Sequence, residues 1–134
     1  MRAYDIHPEN LHSRWANYYY YSSNTDNPDT VLPILKELTT SGITFCLYSG
    51  DVDSVVPITS TRYSIKMLGL PVKTSWRPLY VNNEVGGYVE GYDGLTLVTV
   101  RGAGHEVPCY QPERALPIIS SFLQGQLPSK QAKQ

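Results

Sequence analysis

The chain has 134 residues, 41% of them hydrophobic, and a formal net charge of −1. That length fits one domain or a piece of a larger one. The apolar content excludes wholesale disorder, and the scattered Lys and Arg exclude the electrostatic footprint of a nucleic-acid or membrane-surface binder.

No run of about 18 apolar residues occurs, so no bilayer-spanning helix is predicted. The opening Met1-Arg2-Ala3-Tyr4-Asp5-Ile6-His7-Pro8 lacks the apolar stretch of a signal peptide, and the chain as written shows no route to a secretory compartment. Residues 1–29 read as an irregular lead-in. Tyr18, Tyr19, Tyr20 and Tyr21 run consecutively, and Ser22-Ser23-Asn24-Thr25-Asp26-Asn27-Pro28 supplies turn chemistry. The tyrosines read as packed loop aromatics rather than a binding rim, and His7 and His12 as solvated.

A domain segment is expected over residues 30–128. Val31, Leu32, Leu35 and Leu38 recur at helical spacing behind Asp29 or Thr30 as N-cap, and Ser41-Gly42 ends the helix. Ile43-Thr44-Phe45-Cys46-Leu47-Tyr48 is short, nearly all apolar and β-prone, the pattern of a strand buried on both faces of a parallel sheet. It opens into Ser49-Gly50-Asp51-Val52-Asp53-Ser54-Val55-Val56-Pro57. A second helix fits Ile58 to Leu68, with Ile58, Thr61, Ile65 and Leu68 on one face and Gly69 at its end.

Residues 74–89 read as a β-hairpin turning at Asn82-Asn83-Glu84, and Tyr92-Asp93-Gly94 as another turn. Leu95-Thr96-Leu97-Val98-Thr99-Val100 is the clearest strand and runs into Arg101-Gly102-Ala103-Gly104-His105-Glu106-Val107-Pro108. A last helix covers Pro112 to about Leu123, ended by Gly125, and residues 129–134 form a frayed, flexible tail. This order predicts the α/β class, with a mostly parallel sheet flanked by helices and an inserted β-hairpin.

In open α/β sheets chemistry collects beyond the carboxyl ends of strands. Two such exits carry titratable groups, Asp53 after the first strand and His105 after the last. In α/β-hydrolases the triad runs serine, acid, histidine along the chain, with acid and histidine on late loops, and Asp53 followed by His105 fits that order. The chemistry needs this pair: the imidazole takes the serine proton, and a carboxylate fixes its tautomer and stabilises the imidazolium. Asp51 competes for the acid role, but the Gly50-x-x-Asp53 spacing favours Asp53, leaving Asp51 to cap the loop or face solvent. Gly50 or Gly104 is expected to permit the tight backbone of these exits.

Other site chemistry finds no support. His105-Glu106-Val107-Pro108-Cys109 mimics a zinc-protease motif, but Gly102, Gly104 and Pro108 oppose the helix that motif needs. Asp51-Val52-Asp53 lacks the remaining ligands of a calcium loop, so neither a metal nor a cofactor is expected. Two cysteines are too few for a disulfide framework. Cys46 reads as a small buried hydrophobe, whereas Cys109 could pair or stay free.

The acid-loop stretch from Tyr48 to Pro57 resembles that of the plant serine carboxypeptidase family. So do Trp76-Arg77-Pro78-Leu79-Tyr80, Glu84-Val85-Gly86-Gly87-Tyr88, the histidine loop from Leu95 to Pro108, and Gln111-Pro112-Glu113-Arg114-Ala115-Leu116. The resemblance implies the C-terminal part of an α/β-hydrolase that removes single residues from peptide C-termini through an acyl-enzyme, in a secretory or vacuolar setting. It makes Asp53 the triad acid, His105 the base, and Glu106 a residue near the substrate's last side chain.

No Gly-x-Ser-x-Gly elbow occurs in the sequence, and the family's oxyanion-hole glycines and carboxylate-gripping residues would lie upstream. Loss of a triad serine costs about 10⁶-fold in turnover, so this chain alone is expected to be inactive. The expected partner is the serine-bearing N-terminal part or large chain of the same enzyme, with peptides as substrates. The alternatives are a truncated relative that acts only by binding, and a hydroxynitrile lyase or acyltransferase that reuses the triad.

Overall fold

The computed structural model describes residues 30–129. The described residues belong almost wholly to one compact unit that begins at Leu32. The lead-in of residues 1–29, with its tyrosine run and two histidines, and residues 130–134 lie outside them.

The elements are α1 Leu32–Thr40, β1 Phe45–Gly50, α2 Ile58–Leu68, β2 Val72–Val81, β3 Glu84–Tyr92, β4 Leu95–Val100, α3 Val107–Tyr110 and α4 Pro112–Leu123. They form a four-stranded sheet in the order β1-β4-β3-β2. The class is α/β, as expected, but the expectation of a mostly parallel sheet needs correction. Only β1–β4 is parallel, and β4–β3 and β3–β2 are antiparallel. The hairpin is part of the sheet itself, and connections as short as Asn82-Asn83 and Asp93-Gly94 can join only antiparallel neighbours. Asn82 and Asn83 take φ of 51° and 64°, the left-handed pair of a type I′ turn that asparagine tolerates better than most residues.

Alternation along the central strand sorts the core into two layers. Leu95 and Leu97 pack with Ile65 and Leu68 of α2, flanked by Leu32 and Leu35 of α1. Val98 and Val100 pack with Val107 of α3 and Ala115 and Ile118 of α4. Successive side chains on a strand point to opposite faces, so the two clusters lie on opposite sides of β4. Complete burial of a side chain such as Leu97 contributes roughly 1.5–3 kcal/mol, which makes β4 the structural centre.

β1 differs from its expected double burial. Phe45, Cys46 and Leu47 are only half-buried and Tyr48 is exposed, because β1 has a described strand neighbour on one side only. Cys46 packs against the α4-side cluster, and burial pushes its thiol up to about 11. Cys109 is exposed, and both cysteines are free thiols.

The ends of α2 and α4 follow the sequence closely. Gly69, at φ 66°, closes α2, and α4 runs from Pro112 to Leu123. A short helix, Val107–Tyr110, stands where Pro108 was expected to oppose one. Proline costs nothing in a first turn, where its missing N–H has no intrahelical partner. Ser129, first residue of the expected tail, accepts the Tyr80 N–H at 3.2 Å, and Arg77 reaches the Pro128 carbonyl at 2.9 Å. Among the described residues no helix is long and apolar enough to cross a membrane.

Candidate active site

The parallel register of β1 and β4 ends at Gly50 opposite Val100, so both strands release their loops at one level of the sheet. Backbone bonds knit the exits together: Asp51 N–H donates to the Val100 carbonyl at 3.1 Å and Val52 N–H to the Ala103 carbonyl at 3.2 Å. The approach is so close that a Cβ on Gly50 would lie 2.1 Å from the Ala103 oxygen. Gly50 therefore has to be glycine. Gly104, the other candidate for that role, meets only ordinary contacts with the Tyr110 ring, at 3.5 Å or more. The positive φ in this loop belongs instead to Gly102, at 72°.

Within that frame the Asp53 side chain does two things. Its Oδ1 accepts the N–H groups of Val55 at 2.8 Å and Val56 at 3.0 Å, closing the acid loop on itself. Its Oδ2 lies 3.0 Å from Nδ1 of His105. The carboxylate is shielded, with 5% of the side chain exposed, while the imidazole is 56% exposed.

Burial tends to raise the Asp53 carboxyl pKa. The His105 hydrogen bond, the two N–H donors and attraction to the ring together outweigh burial, and the group sits below the usual aspartate value. An ionised Asp53 accepts a proton-bearing Nδ1 and leaves Nε2 of the neutral ring as a lone-pair base. Among the described residues nothing is hydrogen-bonded to Nε2. The arrangement can take a proton from a group presented to that nitrogen and stabilise the resulting cation.

Asp51 does not touch the imidazole. Its Oδ1 accepts the Gly102 N–H at 2.7 Å, the loop-capping role weighed for it from the sequence. Glu106 is exposed beside His105 and makes no side-chain hydrogen bond among the described residues; its backbone carbonyl accepts the Cys109 and Tyr110 N–H groups that start α3.

Sequence reasoning did not single out Gln111 and Arg114 as individual contributors to the site. Gln111 Nε2 donates to the Gly102 carbonyl at 3.1 Å and Arg114 Nη1 to the Arg101 carbonyl at 2.7 Å. They lie at the N-terminal end of α4, and no local pattern announces such contacts. Missed too was a polar cluster under α2. There Glu90 accepts the Tyr92 hydroxyl at 2.8 Å and pairs with Arg62 at 3.6 Å, while Arg62 lies 4.5 Å over the Trp76 ring. Burial, then the Glu90 bond, pushes Tyr92 up to about 12.

Comparison with known proteins places the sequence in a family. The family model for serine carboxypeptidases matches residues 4–125. Serine carboxypeptidase 24 of Arabidopsis thaliana is 58% identical over 100 residues, covering 75% of this chain and 22% of the relative. Serine carboxypeptidase II-1 of Hordeum vulgare is 54% identical over 99 residues, 74% of this chain and 31% of the relative. Serine carboxypeptidase-like 31 of Arabidopsis thaliana is 45% identical over 110 residues, 82% of this chain and 22% of the relative. The chain thus spans about a fifth to a third of the length of the curated relatives it matches. The chain belongs to the serine carboxypeptidase family.

Proposed function

We propose that this chain supplies the acid and the base of a serine carboxypeptidase active site, Asp53 and His105, to a nucleophilic serine carried by the N-terminal part or large chain of the same enzyme. The observation that carries the reading is the 3.0 Å contact between Asp53 Oδ2 and His105 Nδ1, made by two loops that leave adjacent parallel strands at one level. In this reading Nε2 takes the serine proton as the hydroxyl attacks the C-terminal peptide bond and returns it to the departing amine. Asp53 holds the tautomer and balances the imidazolium. Glu106, next to His105 and exposed, stands near the side chain of the residue released.

The surface around the site supports a partner on this side. Val52 and Val55 of the acid loop are 67% and 65% exposed, and Tyr48 near the site end of β1 is 44% exposed. Apolar residues along a strand with one described neighbour favour association. The relevant setting is the secretory or vacuolar one implied by the family.

The test is reconstitution. The purified chain alone releases no C-terminal residue from a blocked dipeptide. Co-expressed with a serine-bearing N-terminal part from a relative, it forms a complex whose release is abolished by a serine-directed inhibitor. A stable complex with no release would leave a chain that acts only by binding.

A further inference from the structure

We infer that Asp51, Gln111 and Arg114 are positioning residues for His105, clamping the turn that delivers the imidazole to Asp53; the inference rests on the proposal that His105 is the base. Three backbone polar atoms of the Arg101–Gly102 turn are each held by a different side chain. The Gly102 N–H donates to Asp51 Oδ1 at 2.7 Å. The Gly102 carbonyl accepts Gln111 Nε2 at 3.1 Å, and the Arg101 carbonyl accepts Arg114 Nη1 at 2.7 Å.

Arg114 is itself tethered, to Gln111 Oε1 at 3.3 Å and to Glu84 Oε2 of β3 at 3.5 Å. The clamp therefore joins the exit of β1, the start of β3 and the N-terminal end of α4 to one turn. Gly102 needs it. At φ 72° it has no Cβ to restrict the backbone, and glycine is the residue with the most conformational freedom to lose. His105 follows three residues later, and a hydrogen bond to Asp53 survives only small errors in distance and angle. A misplacement of about 1 Å can cost on the order of 10²-fold in rate.

Two readouts test this. In the reconstituted enzyme, Asp51→Ala lowers kcat by roughly 10- to 100-fold with KM within about twofold. Asp51→Asn, which keeps an oxygen acceptor for the Gly102 N–H, recovers most of the loss. On the chain alone, proton NMR with labelled histidine follows the Nδ1–H of His105. Wild type shows it downfield, and Asp51→Ala exchanges it with water at least about tenfold faster while the far-ultraviolet spectrum is unchanged. Should Asp51→Ala fail to fold, Gln111→Leu carries the same two measurements. A wild-type chain with no downfield Nδ1–H, in an inactive complex, sinks the functional reading and the clamp with it. A wild type that shows the proton and activity, with variants matching it in both, overturns the clamp alone.

Discussion

The two loops that meet in the site leave parallel neighbours at one level, Gly50 and Val100, yet they are stabilised in opposite ways. The acid loop is closed from within, by Asp53 accepting the N–H groups of the residues two and three positions on. The histidine loop has only a long closure of its own, the Ala103 N–H on the Val100 carbonyl at 3.4 Å. Its turn is held by Asp51, Gln111 and Arg114 from other parts of the chain. Side-chain bonds on the Asp53 loop are local and those on the turn before His105 are tertiary, so side-chain changes remote in sequence should reach His105 before they reach Asp53.

The largest expected effect comes from removing the charge common to both. In the reconstituted enzyme Asp53→Asn should lower kcat by about 10⁴-fold, since an amide favours the wrong imidazole tautomer. Its amide oxygen can still accept the Val55 and Val56 N–H groups, so the acid loop should keep its shape. Steady-state kinetics beside a thermal melt will tell; a loss under about tenfold would place the acid elsewhere.

The next effect separates the loops by backbone packing. Gly50→Ala forces a Cβ against the Ala103 oxygen, 2.1 Å away, and should cost about 3 kcal/mol or more in urea unfolding. Gly104→Ala meets nothing nearer than 3.5 Å and should stay within about 0.5 kcal/mol. Equal costs would show that the two exits are not pressed together at Gly50.

The smallest effect is a pH dependence of stability. Asp53 titrates below its ordinary value of 3.8 in the folded chain, so the ionised carboxylate favours folding. That contribution is complete above the ordinary value and is lost as pH falls through the depressed folded one. Urea midpoints at pH 6 and pH 3 should drop further in wild type than in Asp53→Asn. Identical drops would mean that the carboxylate gains nothing from its partners.

Much of the element pattern was legible because its causes are local. Gly69 ends α2 in the left-handed region, two asparagines make the hairpin turn, and Pro112 opens α4. The pair Asp53 and His105 was legible from strand-end loops in hydrolase order. The majority direction of the sheet was not, because an apolar run reads alike in a parallel or an antiparallel neighbour. The half-exposure of β1 was hidden too, since burial depends on what lies beside a strand. So was the choice of Gly50 over Gly104, which depends on a carbonyl more than fifty residues away.

By itself the sequence determined where most helices, strands and turns fall, the short α3 apart, and which two side chains could serve as acid and base. These rest on φ preferences, periodicity and hydrogen bonds spanning a few residues. Only the tertiary structure decided that Asp53 Oδ2 reaches the imidazole at 3.0 Å, that Asp51 turns to the Gly102 N–H, and that Gln111 and Arg114 grip the turn before His105. Those outcomes turn on distances between segments, set by the register of β1 on β4 and the packing of α4 against the sheet.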